Sequence, residues 1–306
     1  MGRIFLTWVM GTFLWVGALA VAHAQEPPKV LVDTAPLHSL VAQVMGDVGQ
    51  PDLLVPADAL PHDFALRPSQ ARDLEAAQIV FWVGPELTPW LEDALATLSP
   101  DARRVEMLRV QGTIQRRLRP GGRAETPMLQ MAEDAELDPH AWLDPQNAQA
   151  WLMAIAQELA LRDPGNAGAY RANALAAVEG VGALEAQMAA TLAPVRDRPF
   201  IVYHDAFQHF EARFGMTLLG SVAAGEAASP GVRRMVEMRD LAAEKSARCL
   251  FTEPQVNGAR LRQVFEGSGI RAAVLDPLGA DLDPGATLYS GVIENIANTM
   301  ASCLGG

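Results

Sequence analysis

Asp138-Pro139-His140-Ala141-Trp142-Leu143-Asp144-Pro145 is the stretch on which the reading of this chain turns. Proline near both ends fixes φ and removes two backbone donors, so the segment is neither regular helix nor regular strand. Its histidine is therefore presented from a rigid turn. Two further histidines have comparable settings, His62 in Leu60-Pro61-His62-Asp63-Phe64 and His204 in Val202-Tyr203-His204-Asp205. Asp276 follows in Leu275-Asp276-Pro277-Leu278-Gly279. Separations of about 60–80 residues exclude a zinc finger or an H-E-x-x-H helix, whose ligands lie close in sequence. They imply a site assembled from four loops, and hence a fold that gathers those loops at one place.

Outward from that stretch, short apolar runs alternate with helical patterns. Strands are predicted over 29–33, 52–56, 79–83 and 104–108, and again over 200–203, 216–220, 249–252 and 272–275. Between them, helices are predicted through Leu40 and Val44 to the turn at Gly46, and over 67–77, 87–98, 147–161, 206–214, 230–247, 258–267 and 287–303. Such alternation implies parallel βαβ units. Each candidate ligand falls at or just past the end of an element, and open α/β sheets bind ligands outside the carboxyl ends of their strands. The fold class is α/β, with lobes over 25–165 and 196–306. The segment between them, 166–195, holds an alanine-rich, proline-free helix over 167–192, suited to linking two lobes or to ordinary packing. Residues 112–137 break the rhythm. Their glycine, proline and mixed charge, with Arg116, Arg117, Arg119 and Arg123, read as an exposed solvated loop, a binding patch being the alternative.

The first 24 residues stand apart. Arg3, an apolar run and the small-x-small site Ala22-His23-Ala24 form a cleavable export leader, with a retained anchor as the competing reading. Removal leaves roughly 280 residues, enough for two lobes by the usual domain-size prior. The formal net charge is −12, and loss of Arg3 makes the exported chain one unit more negative. That balance disfavours nucleic acid and mildly favours cationic ligands. The two cysteines, Cys249 and Cys303, point to a disulfide in an exported chain, with two buried free thiols as the alternative.

Imidazole is a common ligand for Zn²⁺, and three of them with one carboxylate complete a tetrahedron. Asp63, Asp138 and Asp205 lie beside the three histidines and are candidates to accept the non-ligating ring N–H. The other histidines act as controls. His23 leaves with the leader, and His38 lies early in a helix, where capping or packing is expected. On one helix, His209 would point about 140° away from His204.

These residues also carry a family resemblance. Pro61 to Ser69, Val83-Gly84-Pro85-Glu86, Asp138 to Leu143, Tyr203-His204-Asp205-Ala206-Phe207 and Leu275 to Gly279, taken in order, resemble the periplasmic zinc-binding proteins of ABC importers (the ZnuA type). The resemblance spans essentially the whole exported chain. It implies two α/β lobes joined by a long rigid helix, with Zn²⁺ held in the cleft and delivered to a membrane permease. By position, His62, His140 and His204 match the family's histidine ligands. Asp276 matches a carboxylate that ligates in some relatives, glutamate or water serving in others. His204 discriminates, because manganese-type relatives usually place glutamate there, and an all-nitrogen trio suits Zn²⁺ over the harder Mn²⁺. Cys249 and Cys303 match disulfide positions of zinc-type members. A periplasmic monomer without enzymatic activity is expected, with a metallochaperone as a further candidate partner. Two departures stand out: 112–137 contains no histidine, unlike the histidine-rich loop of many relatives, and Pro61 replaces a glutamate found in some.

The rival readings come from other classes. An exported zinc hydrolase needs an open metal position and a base, for which Glu253 or Asp205 would serve. No H-E-x-x-H or G-x-S-x-G motif accompanies them, and a ligating Asp276 would close the coordination sphere. A surface adhesin would need an anchor, and no cysteine lies near the cleavage site. A manganese or iron importer subunit is the third alternative, separable by metal competition.

Overall fold

A computed structural model describes residues 26–122, 136–223, 230–256 and 259–306. The predicted leader over 1–24 and Arg123 lie outside the described residues.

The first lobe is built from β1 (Val30–Val32), α1 (Ala35–Met45), β2 (Asp52–Leu53), α2 (Pro68–Ala76), β3 (Ile79–Trp82), α3 (Pro89–Leu98) and β4 (Arg103–Glu106). After α4 (Pro145–Arg162) and α5 (Ala167–Leu192) comes the second, with β5 (Phe200–Val202), α6 (Gln208–Phe214), β6 (Leu218–Ser221), α7 (Val232–Glu244), β7 (Cys249–Thr252), α8 (Ala259–Phe265) and β8 (Arg271–Val274). The helix α9 (Leu288–Gly305) closes the chain. Each lobe is a four-stranded sheet, ordered β2-β1-β3-β4 and β6-β5-β7-β8, and every pairing is parallel. The two halves share one topology although no repeat is visible in the sequence.

Parallel sheets need apolar cover on both faces, which is why Ile79-Val80-Phe81-Trp82 reads as a continuous hydrophobic run and is buried throughout. One core runs through both lobes. It joins the inner face of the first sheet (Val30, Val32, Ile79, Phe81) to that of the second (Phe200, Val202, Phe251) through α1, α4, α5 and α9. Smaller cores lie outside, one with Leu74, Leu91 and Leu95 under α2 and α3, the other with Met235, Met238, Leu261 and Phe265 under α7 and α8.

The helix α5 occupies the residues that its composition predicts. It packs against α1, α4 and α9, burying Tyr170, Ala174, Val181, Leu184, Met188 and Leu192 along one stripe. Spacings of three, four and seven residues return to the same face of an α-helix. The two lobes therefore meet across a shared apolar interior as well as through the chain.

The expected cysteine pairing is present. Cys249 at the head of β7 is bonded to Cys303 in α9, with an S–S distance of 2.04 Å. Some boundaries differ from expectation. The strand predicted over 52–56 shortens to Asp52–Leu53. The helix predicted over 230–247 runs from Val232 to Glu244, because Gly231 is extended and Ser246 takes φ 56° just after its end. Among the described residues no helix is long and apolar enough to cross a membrane.

Candidate metal centre

The candidate ligands follow the carboxyl ends of β2, β4, β5 and β8. In each lobe the order reverses beside the first strand, giving a switch point whose loops open into the same crevice.

His62 lies in a 3-10 turn, Pro61–Asp63, placed between β2 and α2. Pro61 suits the first position of that turn, where an N–H has no partner to lose. Its carbonyl accepts from the Trp90 indole at 2.8 Å, and the Phe64 ring sits 5.6 Å from that of Trp90, so α3 pins the loop.

His140 precedes a second 3-10 turn, Ala141–Leu143. Asp144 then caps α4, accepting the Gln146 N–H at 3.0 Å, with Pro145 as the first helical residue. The proline-bracketed stretch thus converts a loop into a helix start over a few residues. Its Trp142 is 1 % exposed and donates to the Pro277 carbonyl at 2.9 Å. The Tyr289 hydroxyl donates to the Trp142 carbonyl at 3.0 Å. Both bonds reach from the His140 turn into the second lobe.

His204 stands two residues past β5, and its ring faces the other two. Ring centroids are 4.9 Å apart for His140 and His204, 5.7 Å for His62 and His140, and 6.2 Å for His62 and His204. One ring nitrogen from each lies within 4.8 Å of the other two. Zn–N bonds of 2.0–2.1 Å in a tetrahedron set nitrogens about 3.4 Å apart, so the trio closes on an ion with movements of about an ångström.

Two rings are oriented by buried carboxylates. Asp138 accepts from His140 Nδ1 at 2.8 Å and from the His140 backbone N–H at 3.0 Å. Burial alone would push the Asp138 carboxyl up, but its hydrogen bond to His140 and that ring's charge prevail and hold it below its ordinary value. His204 Nδ1 donates to Glu253, with Oε1 at 3.0 Å and Oε2 at 3.2 Å. Holding Nδ1–H leaves Nε2 with its lone pair toward the cleft.

Here the sequence expectation for the carboxylates is corrected. Asp138 serves His140 as expected, whereas Glu253, not Asp205, orients His204. Asp205 instead receives the Arg119 guanidinium, with Nε at 2.8 Å from Oδ2. Asp63 is exposed.

Asp276 lies outside the group formed by the three imidazoles. Its Oδ1 accepts the N–H groups of Leu278 at 2.9 Å and Gly279 at 3.0 Å, and its Oδ2 accepts that of Ala280 at 2.5 Å. Gly279 takes φ 80°, and a Cβ there would stand 2.9 Å from Val292, so glycine is required for this nest. A carboxylate offers about four acceptor positions, of which three are used.

His38 and His209 stay out of the group. His38 is hydrogen-bonded to the Pro51 carbonyl at 2.9 Å. His209 is fully buried, and burial holds its pKa below the ordinary value.

The family model for "Zinc-uptake complex component A periplasmic" (ZnuA) matches residues 30–303 of this chain. The chain belongs to that family. The high-affinity zinc uptake system protein ZnuA of Paracoccus denitrificans (strain Pd 1222) is 38% identical over 95% of this chain and 96% of its own length. The protein of that name from Brucella abortus (strain 2308) is 36% identical over 92% and 93%. A crystal structure of ZnuA superposes with a TM-score of 0.76 at 24% identity, covering 90% of this chain and 99% of that one. A two-lobed, solute-binding α/β fold is thus established together with the family, and with it a binding protein in place of an enzyme.

The expectation of a solvated loop needs correction at its described residues, those before 123 and after 135. Arg117 pairs with Leu137 in an antiparallel bridge, and the Arg119 side chain is only 10% exposed. The residues that sequence reasoning left without a site role are Arg119 and Glu211, and Glu253 appeared only as a hydrolase base. The signal for Glu253 was its place just past the end of a strand.

Proposed function

We propose that this chain is a high-affinity periplasmic Zn²⁺-binding protein that captures zinc between its lobes and delivers it to the membrane permease of an ABC importer. The observation that carries the reading is the convergence of His62, His140 and His204, three imidazoles from three loops and both lobes, on one point. Nitrogen donors of this kind suit zinc better than manganese. Membership of the zinc-uptake family supplies the direction of transport.

In this reading zinc is cargo, and the residues divide the work of holding it. His62 and His140 present nitrogen from the first lobe and His204 from the second. Asp138 and Glu253 fix the ring tautomers. Asp276, preset by its three N–H bonds, is the fourth ligand, using its remaining acceptor position as the cleft settles. All these groups come from one chain, so the carrier acts as a monomer. Export by the leader over 1–24 brings it to the periplasm, where a metallochaperone is the partner proposed on the loading side.

Elemental analysis and zinc titration of the exported form test the proposal. One zinc per chain is expected, retained through dialysis. Retention of Mn²⁺ or Fe²⁺ with loss of zinc would overturn it. Asp276→Ala separates the two fourth-ligand options: unchanged affinity assigns that place to water.

A further inference from the structure

The residues just before the second ligand turn do not stay with their own lobe. From Arg116 to Gly122 the chain lies across the second lobe, beside His204. Gln208 of α6 donates to the Arg117 carbonyl at 3.2 Å. Arg234 of α7 donates to the Gly121 carbonyl at 2.8 Å and to the Ser221 carbonyl at 2.7 Å. Gly122, with φ 60°, touches the end of β6 so closely that a Cβ would stand 1.9 Å from Ser221 Oγ. Between these points Arg119 reaches two carboxylates of the second lobe. Its Nε and one terminal nitrogen hold both oxygens of Asp205, and its Nη1 lies 2.8 Å from Glu211 Oε2. The side chains of Arg119, Asp205 and Glu211 are 10%, 12% and 6% exposed. A guanidinium forked onto two carboxylates fixes direction as well as distance. Asp205 is the chain neighbour of His204, so the strap grips the backbone that carries the second lobe's imidazole.

A second charged tie runs the opposite way. Arg213 of α6 donates to Asp144 Oδ1 at 2.7 Å and Oδ2 at 2.9 Å, at the end of the His140 turn. Helix α6 is thus bound to both flanks of the first lobe's contribution, one of them through the strap.

We infer that Arg119 is a positioning residue for zinc capture: through the strap it holds His204 against His62 and His140 before the metal arrives, so zinc meets an assembled trio and is not needed to draw the lobes together. The inference rests on the zinc-binding reading above and adds how the site is kept ready. Binding to a preassembled site avoids the cost of ordering its parts at the moment of binding.

Two independent lesions test it. Arg119→Ala removes the fork, and Gly122→Val lifts the strap by steric conflict at Ser221 without touching a charge. Zinc affinity is measured by competition with a chromogenic chelator, and the radius of gyration by small-angle X-ray scattering with and without zinc. The wild type should show the same radius in both states. Both variants should bind zinc roughly tenfold or more weakly, as loss of outer contacts does at metal sites. Without zinc they should be expanded, and zinc should restore the wild-type radius. Arg119→Lys, which keeps the charge without the fork, should fall between. Should Arg119→Ala not give the far-ultraviolet circular dichroism of the wild type, Gly122→Val and Arg119→Lys carry the comparison. Wild-type affinity with an unchanged metal-free radius in the folded variants would overturn the inference. Failure of the wild type itself to bind zinc would overturn the functional reading, while the metal-free radii would still decide the strap.

Discussion

Glu253→Ala is the most informative single change at the zinc site, because it leaves every proposed ligand in place. Glu253 is buried, and its two oxygens lie 3.0 and 3.2 Å from His204 Nδ1. One N–H shared between two oxygens counts as one bond, not two. A hydrogen bond to a charged group contributes about 1.5–3 kcal/mol, which at 1.4 kcal/mol per decade is roughly a 10- to 150-fold change in affinity. Loss of an outer partner at known metal sites costs about 10–100-fold, so two independent routes agree. Glu253→Gln keeps an acceptor oxygen but removes the charge, and should lose about half as much in free energy. Asp205→Ala acts by another route: it breaks the Arg119 fork, so its loss of affinity should come with an expanded metal-free radius that Glu253→Ala does not show. Chelator competition at neutral pH measures all three. Wild-type affinity in Glu253→Ala would refute the assignment of Glu253 as the group that sets the His204 tautomer.

Three further perturbations follow from the structure. His204→Ala should weaken zinc binding while His62→Ala with His140→Ala abolishes it, since the double change strips the first lobe of both imidazoles; calorimetric titration showing undiminished binding in the double variant would place the site elsewhere. The bond between Cys249 and Cys303 closes a loop with a sequence separation of 54, so replacing both with alanine should cost about 4 kcal/mol in the chain-entropy model. In a domain of this size that is a fall of about 10 °C in thermal midpoint, and a calorimetric scan with no shift would contradict it. Asp33 is fully buried, and burial pushes its carboxyl up to about 7 despite the Val83 N–H at 2.8 Å. The folded state therefore keeps a proton that the unfolded chain sheds near pH 4, and stability from this group declines as pH rises from about 4 to 7, by up to about 1.4 kcal/mol per pH unit. Urea midpoints of metal-free Asp33→Asn should fall less steeply over that window than those of the wild type; parallel curves would show that Asp33 does not titrate there.

The fold was legible because its signals are local. Four apolar runs in each half, separated by helical patterns, specify parallel βα units whatever their neighbours do. The proline-free alanine-rich run gave α5 its observed ends. The helix predicted over 147–161 starts two residues earlier, at Pro145 behind the Asp144 cap. What was not legible is how the two sheets share one interior, because the apolar strand positions of both lobes look alike in sequence. Val32 and Val202 enter the same core only once α5 and α9 are placed between them.

The site divides along the same line. Each ligand histidine was readable from its own turn, since proline or a strand end beside it already fixes where the imidazole points. Its carboxylate partner was readable only when the two were neighbours in a turn, as Asp138 and His140 are. For His204 the adjacent Asp205 was the wrong choice, and strand geometry says why. Successive side chains at the end of a strand point to opposite faces, so His204 and Asp205 diverge. The parallel pairing of β5 with β7 matches Phe200 to Cys249, Ile201 to Leu250 and Val202 to Phe251. Two steps further along the same register, His204 faces Glu253, which is where the hydrogen bond is found. Asp205, on the other face, is left to meet a charge from outside its lobe, and Arg119 supplies it. The arginines of the mixed-charge loop read as solvated because the partners of Arg119, Asp205 and Glu211, lie 86 and 92 residues away in the chain and meet it only in the fold.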